Sequence, residues 1–253
     1  MPLFRQLQRL RDGYLLRRHK IPEEDWCAQT RDLDLLSGLE ASARQRLRTL
    51  ASLFLYHKTI NAAGQLQVTE AMRIRIAAQA CIPILNLGLD YYSGWHEVIV
   101  YPHSFVVTHR EEDPAGVVRE RPRHLSGEAW GRGPVILSWA DIDTVMPESN
   151  VIVHEFAHKL DMLNGVANGM PPLHRGMDRQ AWTTAFSEAY EALAADYRQG
   201  LPTAIDPYAT ESPGEFFAVA SEVFFTQPRN LRQYFPAVYA QLGLFYRQYP
   251  RDR

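Results

Sequence analysis

Cysteine is scarce in this chain: Cys27 and Cys81 stand far apart, without CxxC spacing. That excludes both a disulfide framework and a thiolate metal site, and it fits a reducing compartment. Long apolar runs are missing too, since none reaches the ~18 residues of a membrane span. The opening segment MPLFRQLQRLRDGYLLRRHK is broken by charge every few residues and lacks the apolar stretch of a secretory signal. A cytoplasmic protein, neither exported nor inserted in a membrane, is the expectation. Nor is there an excess of one charge: 27 Lys and Arg oppose 29 Asp and Glu, for a net of -2. No global field recommends direct contact with nucleic acid or an anionic membrane. Internal repeats and low-complexity tracts are absent as well.

What is present is a core-forming composition, 46% hydrophobic over 253 residues, enough for one large domain or two intimately packed ones. Leu33, Leu36, Leu39, Leu47, Leu50 and Phe54 recur at spacings near three and four, which predicts one or two amphipathic helices over 30–57. Residues 69–81 read as another helix that stops before Pro83. Short β-branched runs follow at 97–101, 104–108 and 134–139, and these predict strands of a small sheet. The charged, Pro- and Gly-containing stretch 109–133 between them reads as loop or exposed hairpin. Helices are expected again at 150–163, 178–198, 213–226 and 230–247. The class is therefore α+β, mostly helical with a small mixed sheet. Its expected organisation is an N-terminal helical region over 1–70, packed on a catalytic domain over 71–253 as one compact unit. The basic residues Arg5, Arg9, Arg11, Arg17, Arg18 and Lys20 at the start read either as an interaction arm or as a solvated helix face.

The segment VIVHEFAHKLDML carries the chemistry. The spacing of His154 and His158 puts both imidazoles on one helix face a turn apart, so they can chelate one ion. Ile152, Phe156, Leu160 and Leu163 form a separate apolar stripe that can pack on a core. Neutral imidazole suits zinc, and an open coordination position lets a bound water ionise near pH ~7. Glu155 is offset by about 100° round the helix and can act as general base toward that water. Composition alone would produce such a motif by chance about 0.02 times in a chain of this size. Under that bland reading the histidines are ordinary helix residues and Glu155 a surface charge. The absence of Pro and Gly from 151 to 164, with Ser149 and Asn150 as caps, argues against it.

A catalytic zinc normally takes a third protein ligand. Asp161 and Asn164 stand where HExxHxxGxxH would need its glycine and third histidine, which excludes the metzincin pattern. Later glutamates remain: Glu188, Glu191, Glu211, Glu215 and Glu222, with His174 a weaker rival. Glu215 sits in the first turn of an apolar helix, where it reads equally well as ligand or as the third position of a capping box with Ser212 and Pro213. Glu222 lies seven residues on, as a partner of a ligand or a plain helix charge. Asp161 can hydrogen-bond a histidine or the turn that follows. Tyr208 lies on a loop leading toward the cleft and could stabilise an oxyanion, although tyrosine is common in this chain. His19, His57, His96, His103, His109 and His124 read as structural or exposed.

Taken together, RIAAQACIPILNLGLDYYSGWHEVIVYP, GPVILSWADI, NVIVHEFAHKLDMLNG, IDPYATESPGEFFAVASEVFF and LGLFYRQYP resemble the Mlc titration factor A family of bacterial zinc peptidases. That family is related to the anthrax lethal factor catalytic domain. The resemblance spans about residues 73 to 250 and implies a gluzincin-like core. It implies one zinc ion on His154, His158 and Glu215, with Glu155 as base and Tyr208 as transition-state stabiliser. It also implies aminopeptidase activity on peptides, a partnership with a transcriptional repressor of the Mlc type, and a sheet strand aligning the substrate, for which PVILSW is the candidate. The first 70 residues and the chain's end depart from the family pattern. A regulatory protein that sequesters a transcription factor, with zinc mainly ordering the cleft, is the alternative. A structural zinc protein without an open coordination position is a third reading.

Overall fold

The computed structural model describes residues 2–112, 118–125, 127–129, 133–143 and 149–250. In chain order, helices α1 (Pro2–His19), α2 (Glu23–Thr30) and α3 (Ala41–His57) lead into strand β1 (Thr59–Ala62) and helix α4 (Glu70–Ala80). Strands β2 (Glu97–Tyr101), β3 (Phe105–Glu112), β4 (Val118–Leu125), β5 (Gly127–Ala129) and β6 (Val135–Ser138) follow. The chain then returns to helix: α5 (Trp139–Asp143), α6 (Val151–Asp161), α7 (Arg179–Arg198), α8 (Pro213–Thr226), α9 (Pro228–Tyr234) and α10 (Pro236–Tyr246). The expected α+β class holds, with helices dominating a small mixed sheet.

The main sheet has the order β1-β2-β6-β5, in which β1, β2 and β6 run parallel and β5 antiparallel to β6. β3 and β4 form a separate antiparallel pair, so the stretch expected as loop or hairpin contains a hairpin. The side chains of Val98, Val100, Val135 and Leu137 are buried, which places one face of β2 and β6 against the core. β1 escaped the sequence reading because four residues with a single buried side chain, Ile60, carry almost no periodic signal.

Two helix expectations change in detail. The leucine pattern over 30–57 does not mark continuous helix: α3 begins at Ala41, and Leu35 and Leu36 are buried from a 3₁₀ turn at Asp34–Leu36. Apolar spacing persisted through that turn because its leucines still face the core. The expected helix 230–247 is two helices, with Pro236 opening α10 where the missing N–H would break a continuous one.

α6 lies at the centre of the molecule, buried along nearly its whole length. On one side Phe156 meets Phe54, Tyr92 and Trp95, at ring centroid distances of 5.7, 5.1 and 5.7 Å. α8 packs on α6, and its apolar residues enter a second aromatic group that includes Trp182, Phe217, Phe224, Phe245 and Tyr246. Burying such rings is worth roughly 1.5–3 kcal/mol each. Both groups belong to one continuous core, into which α6 and α8 are packed.

Two lysines anchor the back of α6. Lys58 donates to the carbonyls of Tyr92 and Trp95 and lies 4.0 Å from the centre of the Trp95 ring, while Lys159 donates to Gly133 O at 2.8 Å. Burial pushes both ammonium groups down to about 8. Each buried head is met by carbonyl oxygen or an aromatic face, which is what keeps a desolvated cation tolerable.

Candidate metal centre

α6 begins at Asn150, whose side chain accepts from Val153 N at 2.9 Å. Of the two expected caps, Asn150 rather than Ser149 performs that task. Its own amide donates to Gln79 Oε1 on α4 at 2.7 Å, and its N–H donates to Glu222 Oε1 on α8. The start of α6 is thus tied to two neighbouring helices before the histidines are reached.

His154 and His158 sit one turn apart with ring centroids 4.9 Å from each other. Glu215, from the first turn of α8, places Oε2 at 3.2 Å from Nε2 of both. The competing expectations for this residue are both met in part. Ser212 Oγ accepts from Glu215 N at 3.1 Å, so the helix is capped, but the carboxylate is turned to the histidines. These three side chains are the one group of metal-ligand type found among the described residues, with donor atoms all within 4.8 Å of each other.

The two histidine–glutamate spacings fit a small tetrahedral cation. Bonds of about 2.0–2.1 Å in that geometry set neighbouring ligand atoms about 3.3 Å apart, close to the 3.2 Å between Glu215 Oε2 and each imidazole nitrogen. Electrostatics agree. Burial opposes ionisation of Glu215, but hydrogen bonding to His154 and His158 outweighs it and holds the carboxyl well below its usual range. Burial likewise opposes charge on His154, yet hydrogen bonds with Glu215 and Glu222 and the carboxylate of Glu155 raise it well above its usual value. The pocket thus favours positive charge at the point where the three donors meet.

The supporting contacts explain how α6 and α8 are held in register. Glu222 Oε2 lies 3.4 Å from Nδ1 of His154 while Oε1 accepts from Asn150 N. One carboxylate therefore orients a candidate ligand ring and steadies the helix that bears it. Asp161 takes the turn rather than the histidine: its Oδ2 accepts from Asn168 N and Gly169 N, each at 2.7 Å. Gly169 has φ +77°, and a Cβ there would stand 2.6 Å from Pro213 O, so the loop lies directly on the first turn of α8. Trp182 Nε1 donates to Gly169 O at 3.0 Å and fixes the loop from behind.

Glu155 is buried and faces strand β5. A Cβ on Gly127 would come within 2.5 Å of Glu155 Cγ and Oε1, so only glycine permits this approach. Sequence reading missed Gly127, since a lone glycine in a charged segment gives no sign of a distant partner. Tyr208 lies in the 3₁₀ turn Pro207–Thr210, its ring centroid 6.1 Å from that of His154. The turn is held by Asp206 Oδ1, accepting from Tyr208 N at 2.8 Å, and by Tyr190 OH, donating to Thr210 O at 3.0 Å. His154, Glu155, Tyr208, Glu222 and Gly127 open on a cleft of about 800 Å³.

The remaining candidates fall elsewhere. Glu188, Glu191 and Glu211 are exposed and outside the group of donors. His174 bonds Tyr91 OH at 3.0 Å and Phe245 O at 2.6 Å, a structural role. His19, His57, His96 and His103 are also outside the donor group. The side chains of His109 and His124 lie outside the described residues. PVILSW does not offer the open strand edge expected of it. β6 is paired on both sides, by β2 and β5, and β5 forms the sheet's edge beside Glu155.

A family model described as glucose-regulated metallo-peptidase M90 matches residues 4–247. This chain belongs to that family. Proteins named Mlc titration factor A resemble it along most of their length. That of Edwardsiella ictaluri is 39% identical over 226 residues, covering 87% of this chain and 86% of the relative. That of Yersinia enterocolitica is 37% identical over 240 residues, covering 92% and 90%, and that of Salmonella arizonae 40% identical over 228 residues, covering 87% and 90%. The M90 match begins at residue 4 and runs through α1, α2 and α3, which corrects the expectation that the first 70 residues depart from the family pattern. Membership makes the chain a metallopeptidase by family, and His154, His158 and Glu215 could bind its ion. No helix among the described residues is long and apolar enough to cross a membrane.

Proposed function

We propose that this chain is a zinc peptidase of gluzincin type, with His154, His158 and Glu215 as ligands, Glu155 as general base and Tyr208 as transition-state stabiliser. The observation that carries the reading is the convergence of Glu215 Oε2 on both imidazole nitrogens at 3.2 Å. Zinc in that position supplies a Lewis acid that polarises a carbonyl and lowers the pKa of water. Glu155, beside the ligands and walled by β5, takes the water proton and returns it to the leaving amine. The Tyr208 phenol donates to the oxygen that gains charge as the carbonyl is attacked. The edge of β5 hydrogen-bonds an extended peptide and aligns its scissile bond over Glu155. The cleft of about 800 Å³ has room for a short peptide, and the resemblance to the Mlc titration factor A family favours removal of N-terminal residues as the chemistry.

The organisation proposed with this function is an N-terminal helical region, 1–70, packed on a catalytic domain, 71–253, in one unit. Pairing of β1 with β2 supports the packing. A cytoplasmic site of action suits the reduced cysteines. The names of the relatives favour a second role, contact with a repressor of the Mlc type. In its strongest form that role replaces catalysis, and zinc only orders the cleft.

One experiment separates the two. Glu155→Gln should retain one zinc per chain while hydrolysis of a peptide panel falls at least a thousandfold, the order expected for loss of a general base and its charge. Undiminished turnover would refute the base assignment. Wild-type turnover at background, with full repressor binding by Glu155→Gln, would replace the enzyme with the sequestering protein.

A further inference from the structure

The near-zero net charge hides a division along the chain. Residues 2–20 hold six of its 27 basic residues and one of its 29 acidic ones, leaving 21 basic and 28 acidic elsewhere. That stretch is α1 and the lysine after it, and α1 packs chiefly on α3. Leu15 is 6% exposed and faces the body of the protein. On the opposite side Leu10 is 72% exposed and Tyr14 is 54% exposed, one helical turn apart. Helical geometry sets Arg11 and Arg18 on one flank of that pair and Arg17 on the other, and all three are exposed. Arg18 lies over the Tyr14 ring at 5.0 Å. The single acid, Asp12, is 3.6 Å from Arg11, and Glu23 in the next helix is paired with Arg48.

We infer that α1 is a docking helix for an anionic lipid surface, lying flat with Leu10 and Tyr14 toward the acyl boundary and Arg11, Arg17 and Arg18 among the headgroups. Three properties select lipid over other anionic partners. Leu10 and Tyr14 offer hydrocarbon and an amphipathic ring between the cations, which a phosphate backbone could not use but a headgroup–acyl boundary can. Arginine stems extend along apolar surface while their guanidinium groups reach outward. The acidic remainder of the molecule is repelled by the same surface, which fixes one orientation. The proposed attachment is peripheral and reversible, and no helix among the described residues is long and apolar enough to cross a membrane. It is independent of the metal centre.

The full chain is tested by co-sedimentation with phosphatidylcholine vesicles, with and without phosphatidylglycerol. Binding should require phosphatidylglycerol and fall as salt shortens the screening length below ~10 Å. Arg11→Glu/Arg17→Glu/Arg18→Glu should weaken partitioning at least 100-fold, at about one lipid-attracted charge per arginine. Leu10→Ser/Tyr14→Ser should weaken it while leaving the three arginines, and both variants should hydrolyse peptides as wild type, which also shows that they fold. Equal binding by the charge-reversed variant, or failure of the wild type to bind phosphatidylglycerol vesicles, overturns the proposal. So does a doubled mass in solution that Leu10→Ser/Tyr14→Ser returns to a monomer, because the face would then belong to a second copy of this chain.

Discussion

α6 and α8 both present carboxylates and apolar rings to the same interface, yet they contribute to it in different ways. α6 supplies two candidate ligands and the candidate base from consecutive turns, so its geometry follows from helical spacing. α8 supplies one candidate ligand from its first turn and, seven residues on, Glu222, which reaches back to His154 and Asn150. In the proposed function the first helix carries the chemistry in a local pattern, and the second sets where that pattern points. Damage to α6 should therefore remove the reaction, and damage to α8 should loosen the site.

Glu215→Ala offers the largest contrast. It takes the only α8 donor from the triad and should lower zinc affinity by more than a hundredfold, read by metal content after dialysis against a chelator. Retention of stoichiometric zinc would show that α6 alone suffices and would end the division of labour. Tyr208→Phe should cut kcat by about 10²–10³ with metal content unchanged, the usual effect of losing one oxyanion donor; a change confined to KM would place the phenol in substrate binding. Glu222→Gln keeps the shape of the side chain but loses the charge facing His154 Nδ1. A 10–100-fold loss of zinc affinity is expected, at nearly constant fold stability.

The smallest effect comes from the far side of α6. Lys58→Met leaves the carbonyls of Tyr92 and Trp95 without their donor and should cost about 1–3 kcal/mol in denaturant unfolding. Its pH dependence has a definite sign. The folded ammonium titrates at about 8 against 10.5 for the free group, so between those values the unfolded chain holds more protons. Stability should accordingly rise with pH across that window, and rise less steeply in Lys58→Met. A flat wild-type profile would mean that the carbonyls and Trp95 fully compensate the burial.

The same contrast explains what could be read in advance. His154, Glu155 and His158 are legible because a four-residue spacing is enough to specify one helix face. Glu215 is ambiguous in sequence because Ser-Pro-x-Glu is also a helix-start signature, and the structure uses it both ways: the backbone is capped and the carboxylate is turned away. Glu222 is legible as a partner of a ligand and Asp161 as bonding a histidine or the following turn, but the choice of the turn, and the added contact of Glu222 with Asn150 72 residues away, emerge only in the fold. Gly127 and β1 left no local trace at all. Their roles exist only once the sheet is assembled against α6. The misplaced helix start at residue 30 has the opposite cause, because buried leucines in a 3₁₀ turn mimic helical spacing.

The loop around Gly169 contributes no candidate metal donor, yet it is held by Asp161 at the end of α6 and lies on Pro213 in the first turn of α8, the turn that carries Glu215. A methyl group at Gly169 would press on the Pro213 carbonyl, so Gly169→Ala should displace the Glu215 carboxylate from the imidazoles without altering any of the three side chains.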